Sequence, residues 1–173
     1  MIKTKRLELV RFDKKYAKDL FELWSDYEVV KYTYMPQLKS IDECFEKIEM
    51  FINYTDDEIV NNFIILLDGK AIGIVGSPII DKDKAVFGLY YQLMKKYWGK
   101  GYISEAVEAF INYIRSKFPN AEFNAEVVCE NPASEAILRK MGFSKVGVEK
   151  NRFTLNGFCL LYTSPSPRDR SLS

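Results

Sequence analysis

The segment KKYWGKGYISEA, from Lys95 to Ala106, concentrates residue types able to hold an anion. Two glycines free a loop to present successive backbone N–H groups, and a helix starting just after them adds unpaired N–H groups and the positive end of its dipole. Lys96 and Lys100 on either side suit a pyrophosphate or another phosphorylated group. Taken alone, the segment reads more simply as a tight strand-to-helix turn with solvated lysines. Tyr97, Trp98 and Tyr102 would also serve as stacking faces for single-stranded nucleic acid. The common nucleotide-binding patterns fail, since no Gly-Lys-Ser/Thr occurs and the GxGxxG spacing is absent.

Bulk properties narrow the choice. Lys plus Arg number 25 against 24 Asp plus Glu, so a net charge of +1 gives no global field for nucleic acid or an anionic membrane, and neither is expected as a partner. Cys44, Cys129 and Cys159 sit in no metal-ligand spacing, and with no histidine a zinc site or a histidine triad is excluded; a reduced, cytoplasmic setting is expected. The N-terminus MIKTKRLELV lacks the apolar core of a signal peptide, and no run of about 18 apolar residues is present to span a bilayer. With 173 residues, 47% of them hydrophobic, one domain with one buried core is expected.

The elements that must position the loop follow from periodicity. Ile2 to Val10 reads as a strand, and Ala17, Leu20, Phe21 and Trp24 recur at helical spacing. Ser40 and Glu43 make a capping box before a second helix striped by Ile41, Cys44, Phe45, Ile48 and Ile52, and SDYEVVKYTYMPQL between the helices reads as an irregular loop. NFIILLDGKAIGIVG predicts two strands joined by a two-residue turn at Asp68-Gly69. AVFGLYYQL predicts a strand buried on both faces that runs into the lysine- and glycine-rich loop. The helical stripe Ile103, Ala106, Val107, Phe110 and Ile114 comes next, then the strand EFNAEVVC; strand, helix, strand makes a crossover that sets the two strands parallel. Asn131-Pro132 reads as an N-cap with proline at the first helical position, and Gly142-Phe143 as a left-handed cap closing that helix. The strand SKVGVEKNRF and a partner after Asn156-Gly157 complete the chain.

Lys96-Tyr97-Trp98-Gly99-Lys100-Gly101 resembles the Arg/Gln-x-x-Gly-x-Gly/Ala signature of the GNAT acetyltransferases, with lysine in the first place. TKRLELVRF, SDYEVVKY, YWGKGYISEA and NPASEAILRKMGF together resemble the branch of ribosomal-protein N-terminal acetyltransferases. The resemblance implies an α/β (α+β) GNAT fold: a mixed, mostly antiparallel twisted sheet of six to seven strands, with the fourth and fifth parallel and splayed, and about four helices. It implies acetyl-CoA as co-substrate, its pantetheine between the splayed strands with its amides bonded to backbone near Tyr91 to Leu93, and Met94 next to bind the cofactor. Its pyrophosphate would be held by Lys96, Tyr97, Trp98, Gly99, Lys100, Gly101 and the first helical turn at Tyr102 and Ser104, and its thioester bordered by Asn131 and Ser134. Capping alone also accounts for Asn131, whose side chain can accept from the Ser134 N–H.

Many GNAT members carry a tyrosine acid seven residues after that asparagine; Leu138 stands there, as it often does in this branch, and Ser134 or a water is left as the proton donor. The branch's acidic residue on the fourth strand is here Gly88, which leaves Glu126 and Tyr90 or Tyr91 as candidate bases. By strand parity Glu126 lies opposite Ala125 and Val127, where a solvated carboxylate or a cross-strand ion pair is an equal reading. The catalytic set is therefore Ser134, Glu126 and Tyr91, with direct transfer and Cys129 as a structural cysteine. A weakly equipped base suits an α-amine of pKa about 8 better than an amine near 10, so the expected acceptor is a protein N-terminus. A polyamine, an aminoglycoside or another small amine is the second choice, and a catalytically silent acetyl-CoA-binding module the third; a monomer or homodimer is expected.

The domain is expected to span 1–158. CLLYTSPSPRDRSLS, residues 159–173, breaks the alternating pattern and carries Pro165 and Pro167; CLLYTSPSPRD resembles the translation of a transposon-based sequencing adapter. The native final strand is expected to be lost, or imitated by FCLLYTS pairing with VGVEKNRF.

Overall fold

The computed structural model describes residues 1–31, 33, 35–55, 61–128, 132–150 and 158–163. Nine strand segments and five α-helices are present among them: β1 (Ile2–Lys3), β2 (Glu8–Val10), α1 (Ala17–Ser25), α2 (Tyr27–Val30), α3 (Ile41–Thr55), β3 (Asn61–Leu67), β4 (Lys70–Ser77), β5 (Ile79–Asp81), β6 (Val86–Leu93), α4 (Tyr102–Lys117), β7 (Glu122–Val128), α5 (Pro132–Lys140), β8 (Ser144–Lys150) and β9 (Phe158–Thr163). The strands form one sheet in the order β1-β2-β3-β4-β6-β7-β9-β8, with β5 beside β6. Without the two-residue β1 and three-residue β5, seven strands carry the sheet.

Between β3 and β6 the sheet is buried on both faces. Phe63, Ile65, Phe87, Leu89 and Leu93 pack beneath the apolar stripe of α4, from Ile103 to Ile114. On the other face Ile64, Leu66, Ile74 and Met94 meet Leu20 and Trp24 of α1 and Cys44 and Ile48 of α3. Period-two alternation in β3 and β6 sends successive side chains into these two layers.

Two expectations from the sequence change. Ile2 to Val10 is not one strand but an antiparallel pair, Ile2↔Leu9 and Lys3↔Glu8. Thr4 makes the turn: its N–H donates to Leu7 O at 2.9 Å and its Oγ1 accepts from the Leu7 N–H at 2.9 Å. Nor is SDYEVVKYTYMPQL wholly irregular, because Asp26 caps the short helix α2 by accepting from the Glu28 N–H at 2.9 Å.

Other local signals form as the residues dictate. Asp68 (φ 49°) and Gly69 (φ 80°) make the β3–β4 turn. Gly142 (φ 87°) ends α5 in a full Schellman pattern, with Gly142 N–H donating to Arg139 O and Phe143 N–H to Leu138 O. The Leu138 and Phe143 side chains are both buried, which supplies that motif's apolar contact.

β6 organises the centre. Its first half pairs in parallel with β7, Val86↔Glu122 to Leu89↔Ala125, and its second half pairs antiparallel with β4, Gly76↔Tyr90 to Gly73↔Leu93. The parallel ladder stops at Leu89, and β7 continues beside β9 through Val128↔Cys159. β9 also pairs with β8, Lys150↔Phe158 to Ser144↔Thr163, so the sheet runs beyond residue 158. No helix among the described residues is long and apolar enough to cross a membrane.

Candidate active site

The loop after β6 is a 3-10 turn, Lys95–Tyr97, followed by an open turn into α4. Its amides divide sharply. Tyr97 N–H donates to Met94 O and Trp98 N–H to Lys95 O, and the first bond of α4 is Glu105 N–H to Gly101 O at 3.1 Å. Between them the N–H groups of Gly99, Lys100, Gly101, Tyr102, Ile103 and Ser104 meet no acceptor among the described residues. A helix N-terminus leaves such donors by construction, and here no side chain caps it because Gly101 occupies the N-cap.

Gly99 (φ 76°) and Gly101 (φ 80°) both take the left-handed conformation that glycine adopts freely. A Cβ built on Gly99 would meet nothing within 4 Å, so its face is open. The result is a run of amides with no acceptor among the described residues at the positive end of a 16-residue helix, where backbone donors and the helix dipole both favour an anion such as a diphosphate.

The side chains of this loop do other work. Trp98 Nε1 donates to Leu93 O at 2.8 Å and ties the loop to the end of β6, while the residue as a whole is 41% exposed. Tyr97 and Tyr102 meet edge to face at 6.2 Å. Lys96 points to α1, its Nζ 2.8 Å from Glu22 Oε1, and Lys70 reaches the same carboxylate at 3.3 Å. Those contacts, the Lys96 hydrogen bond first, hold Glu22 below the ordinary carboxylate range and raise the Lys96 ammonium. A cavity of about 500 Å³ beside this cluster is lined by Glu22, Asp26, Met94, Lys95 and Lys96. Lys100 is exposed, and its backbone carbonyl accepts from Arg6 Nη1 at 3.0 Å.

Two of the expected catalytic residues meet. Tyr91 Oη of β6 lies 2.7 Å from Ser134 Oγ in the first turn of α5. Burial pushes the Tyr91 phenol up to about 12, against a smaller opposing pull from the Ser134 bond, so it stays protonated across the physiological range. Tyr90 faces the other way and bonds the buried Asn62 of β3. Glu126 is placed by its backbone, opposite Leu161 of β9, while its side chain and the whole of Asn131 lie outside the described residues.

Gly88 has a steric reason. Its N–H donates to Pro78 O at 2.8 Å, and an added Cβ would sit 2.9 Å from Pro78 Cγ, so no carboxylate fits there unless Pro78 moves. Beneath the end of β6, on the face away from α4, Gln92 Oε1 accepts from Trp24 Nε1 at 2.8 Å and its amide N–H group donates to Met35 Sδ at 3.4 Å. Lys47 Nζ lies 4.2 Å over the Trp24 ring, and burial pushes this ammonium down to about 8.

Three residues in contact with the loop were not picked out from sequence: Arg6, Glu22 and Glu105. Arg6 and Glu105 sit inside TKRLELVRF and GYISEA, but only the fold brings those segments together.

The family model described as Acetyltransferase (GNAT) domain matches residues 6–144. An uncharacterized N-acetyltransferase, p20 of Bacillus licheniformis, is 30% identical over 147 residues, covering 84% of this chain and 83% of p20. The probable N-acetyltransferase YjcK of Bacillus subtilis is 30% identical over 146 residues, 81% of this chain and 76% of its own. Among solved structures, the ribosomal L7/L12 α-N-protein acetyltransferase RimL in complex with coenzyme A superposes with a TM-score of 0.83 at 18% identity, covering 92% of this chain and 94% of RimL. The microcin C7 self-immunity acetyltransferase MccE, in complex with acetyl-CoA and AMP, gives 0.84 at 23% identity over 93% of each chain. With the family model spanning residues 6–144 and a relative 30% identical over 84% of the chain, the chain belongs to the GNAT family of acetyltransferases.

Proposed function

We propose that this protein transfers an acetyl group from acetyl-CoA to a primary amine, with the N-terminal α-amino group of a protein as its acceptor. The observation that carries the donor half is the unbroken run of amides, from Gly99 to Ser104 on the N-terminus of α4, that meet no acceptor among the described residues. They hold the diphosphate, and β6 beyond Leu89, where the parallel ladder has stopped, leaves backbone groups for an extended amide-bearing arm. Bound acetyl-CoA supplies an activated thioester; the rest is done by the chain.

Tyr91 and Ser134 form the proton-donating pair. The Tyr91 hydroxyl, kept neutral by burial, hydrogen-bonds Ser134 Oγ while the Ser134 proton passes to the sulfur that leaves, and the proton shed by the acceptor nitrogen as the C–N bond forms and the C–S bond breaks replaces it. A backbone N–H near Leu93 polarises the acyl carbonyl. No carboxylate base stands at Gly88, where Pro78 closes the space, and this favours an acceptor that is already partly deprotonated. An α-amine of pKa about 8 meets that need, whereas a lysine or polyamine amine near 10 does not. RimL, whose fold this chain shares, is an α-N-protein acetyltransferase, which supports that acceptor.

Release of free thiol from acetyl-CoA is the assay, run against N-terminal peptides, polyamines and aminoglycosides. The expected result is fastest turnover with the peptides. Faster turnover on spermidine would overturn the acceptor assignment. Thermal stabilisation by acetyl-CoA without thiol release on any acceptor would make the chain a silent binding module.

A further inference from the structure

We propose that Arg6 and Glu105 act as a positioning pair that sets the Gly99–Gly101 turn for the diphosphate of the donor; the proposal rests on the acetyl-CoA reading of that turn. Arg6 leaves the tight turn between β1 and β2 and bridges both sides of the α4 N-terminus. Its Nε donates to Glu105 Oε2 at 2.7 Å, its backbone N–H to Glu105 Oε1 at 2.8 Å, and its Nη1 to Lys100 O at 3.0 Å. The guanidinium lies 4.4 Å over the Tyr102 ring, and its Nη2 would sit 3.4 Å from a Cβ on Gly101. Thr4 Oγ1 adds a third donor to Glu105 at 2.6 Å.

The geometry works through one peptide plane. Lys100 C=O and Gly101 N–H belong to the same trans peptide and point in opposite directions. Holding the carbonyl toward Arg6 turns the Gly101 N–H away from the guanidinium, and that N–H is one of the amides with no acceptor among the described residues. Without that bond the plane can flip, because Gly101 on its C-terminal side takes either sign of φ freely, and the cradle loses a donor.

Charge supplies the second half. Glu105 stands one turn inside the helix end that must receive an anion, and alone it would repel that anion. Burial by itself would raise its carboxyl, but the bonds from Thr4 and Arg6 together hold it below its ordinary value, so it is ionised and needs the guanidinium to cancel it. Arg6 therefore orients the loop and neutralises a carboxylate that the anchor requires.

The test compares acetyl-CoA with acetyl-pantetheine, which carries the same thioester and lacks the diphosphate. In the wild type, kcat/KM should favour acetyl-CoA by at least tenfold; equal use of the two donors would refute the reading of the turn itself. Arg6→Gln should raise KM for acetyl-CoA about tenfold or more, with kcat within threefold and acetyl-pantetheine kinetics unchanged. Arg6→Lys, which keeps the charge and loses the fork, should fall between. Arg6→Gln combined with Glu105→Gln should bind acetyl-CoA better than Arg6→Gln alone, because the unpaired carboxylate is gone. An unchanged KM in both Arg6 variants, or an equal loss on both donors, would overturn the positioning role.

Discussion

Tyr91→Phe tests the proton-donating pair and its environment together. The substitution removes one hydroxyl and with it the 2.7 Å bond to Ser134 Oγ. At neutral pH the loss of one such bond costs about 1 kcal/mol, which in a chain of this size lowers Tm by roughly 2–4 °C. Alkali reverses the order. The folded phenol titrates at about 12 instead of its ordinary 10, so the native state holds its proton longer than the unfolded chain does. Stability from this group is complete below pH 10 and is lost as pH rises through 12, to a total of about 3 kcal/mol. The phenylalanine variant has nothing to lose there, so its stability curve should cross that of the wild type between pH 10 and 12.

Catalysis gives the second reading. A positioned proton donor contributes on the order of 10²–10⁴ in rate, so kcat should fall by at least about a hundredfold while KM for acetyl-CoA stays within threefold. Ser134→Ala should give a similar fall, and the double variant should be little worse than either single one, since the two hydroxyls act in series. Stopped-flow or steady-state thiol release measures the rates, and chemical denaturation across pH measures stability. A kcat within threefold of the wild type in Tyr91→Phe would refute the catalytic role; stability curves that stay parallel to pH 12 would refute the buried phenol.

Lys47→Met should stabilise the protein at pH 7 by ~1–3 kcal/mol, because burial pushes the wild-type ammonium down to about 8. The gain should shrink as pH rises from 8 to 10.5; wild-type stability that stays flat over that interval would show that the ammonium is solvated. Gly88→Ala should cost about 1–3 kcal/mol through the contact with Pro78 Cγ, and Pro78→Ala should relieve part of it, read by denaturant melts of the single and double variants. Gly99→Ala meets no atom but must hold φ near 76°, at a cost of about 1–2 kcal/mol. It should raise KM for acetyl-CoA more than it lowers Tm, and an unchanged KM would separate the cradle from the left-handed conformation.

The glycine-bearing turn and the helix after it were legible in the sequence because they are local. Glycines, a following helical stripe and the preceding buried strand lie within one stretch, and backbone chemistry depends on conformation more than on side-chain partners. Tyr91 and Ser134 were each named from sequence, yet their pairing needed the crossover through α4 and β7 that brings α5 back over β6. Lys96 shows the opposite limit: its place in the signature suggested the phosphate, while the fold gives it Glu22, a residue 74 positions away.

Arg6 carries the same lesson further. Nothing in TKRLELVRF distinguishes it from a solvated strand arginine, because the Thr4 turn that splits the strand depends on one side-chain bond to Leu7 and not on alternation. Once split, β1 lies against the start of α4, and a charge 99 residues before Glu105 becomes its partner. The signature turn can adopt more than one peptide orientation by virtue of its glycines, so the residues that choose the orientation must come from outside it. That is why the loop alone reads as a turn, and why the residue proposed to orient its amides lies in the distant turn between β1 and β2.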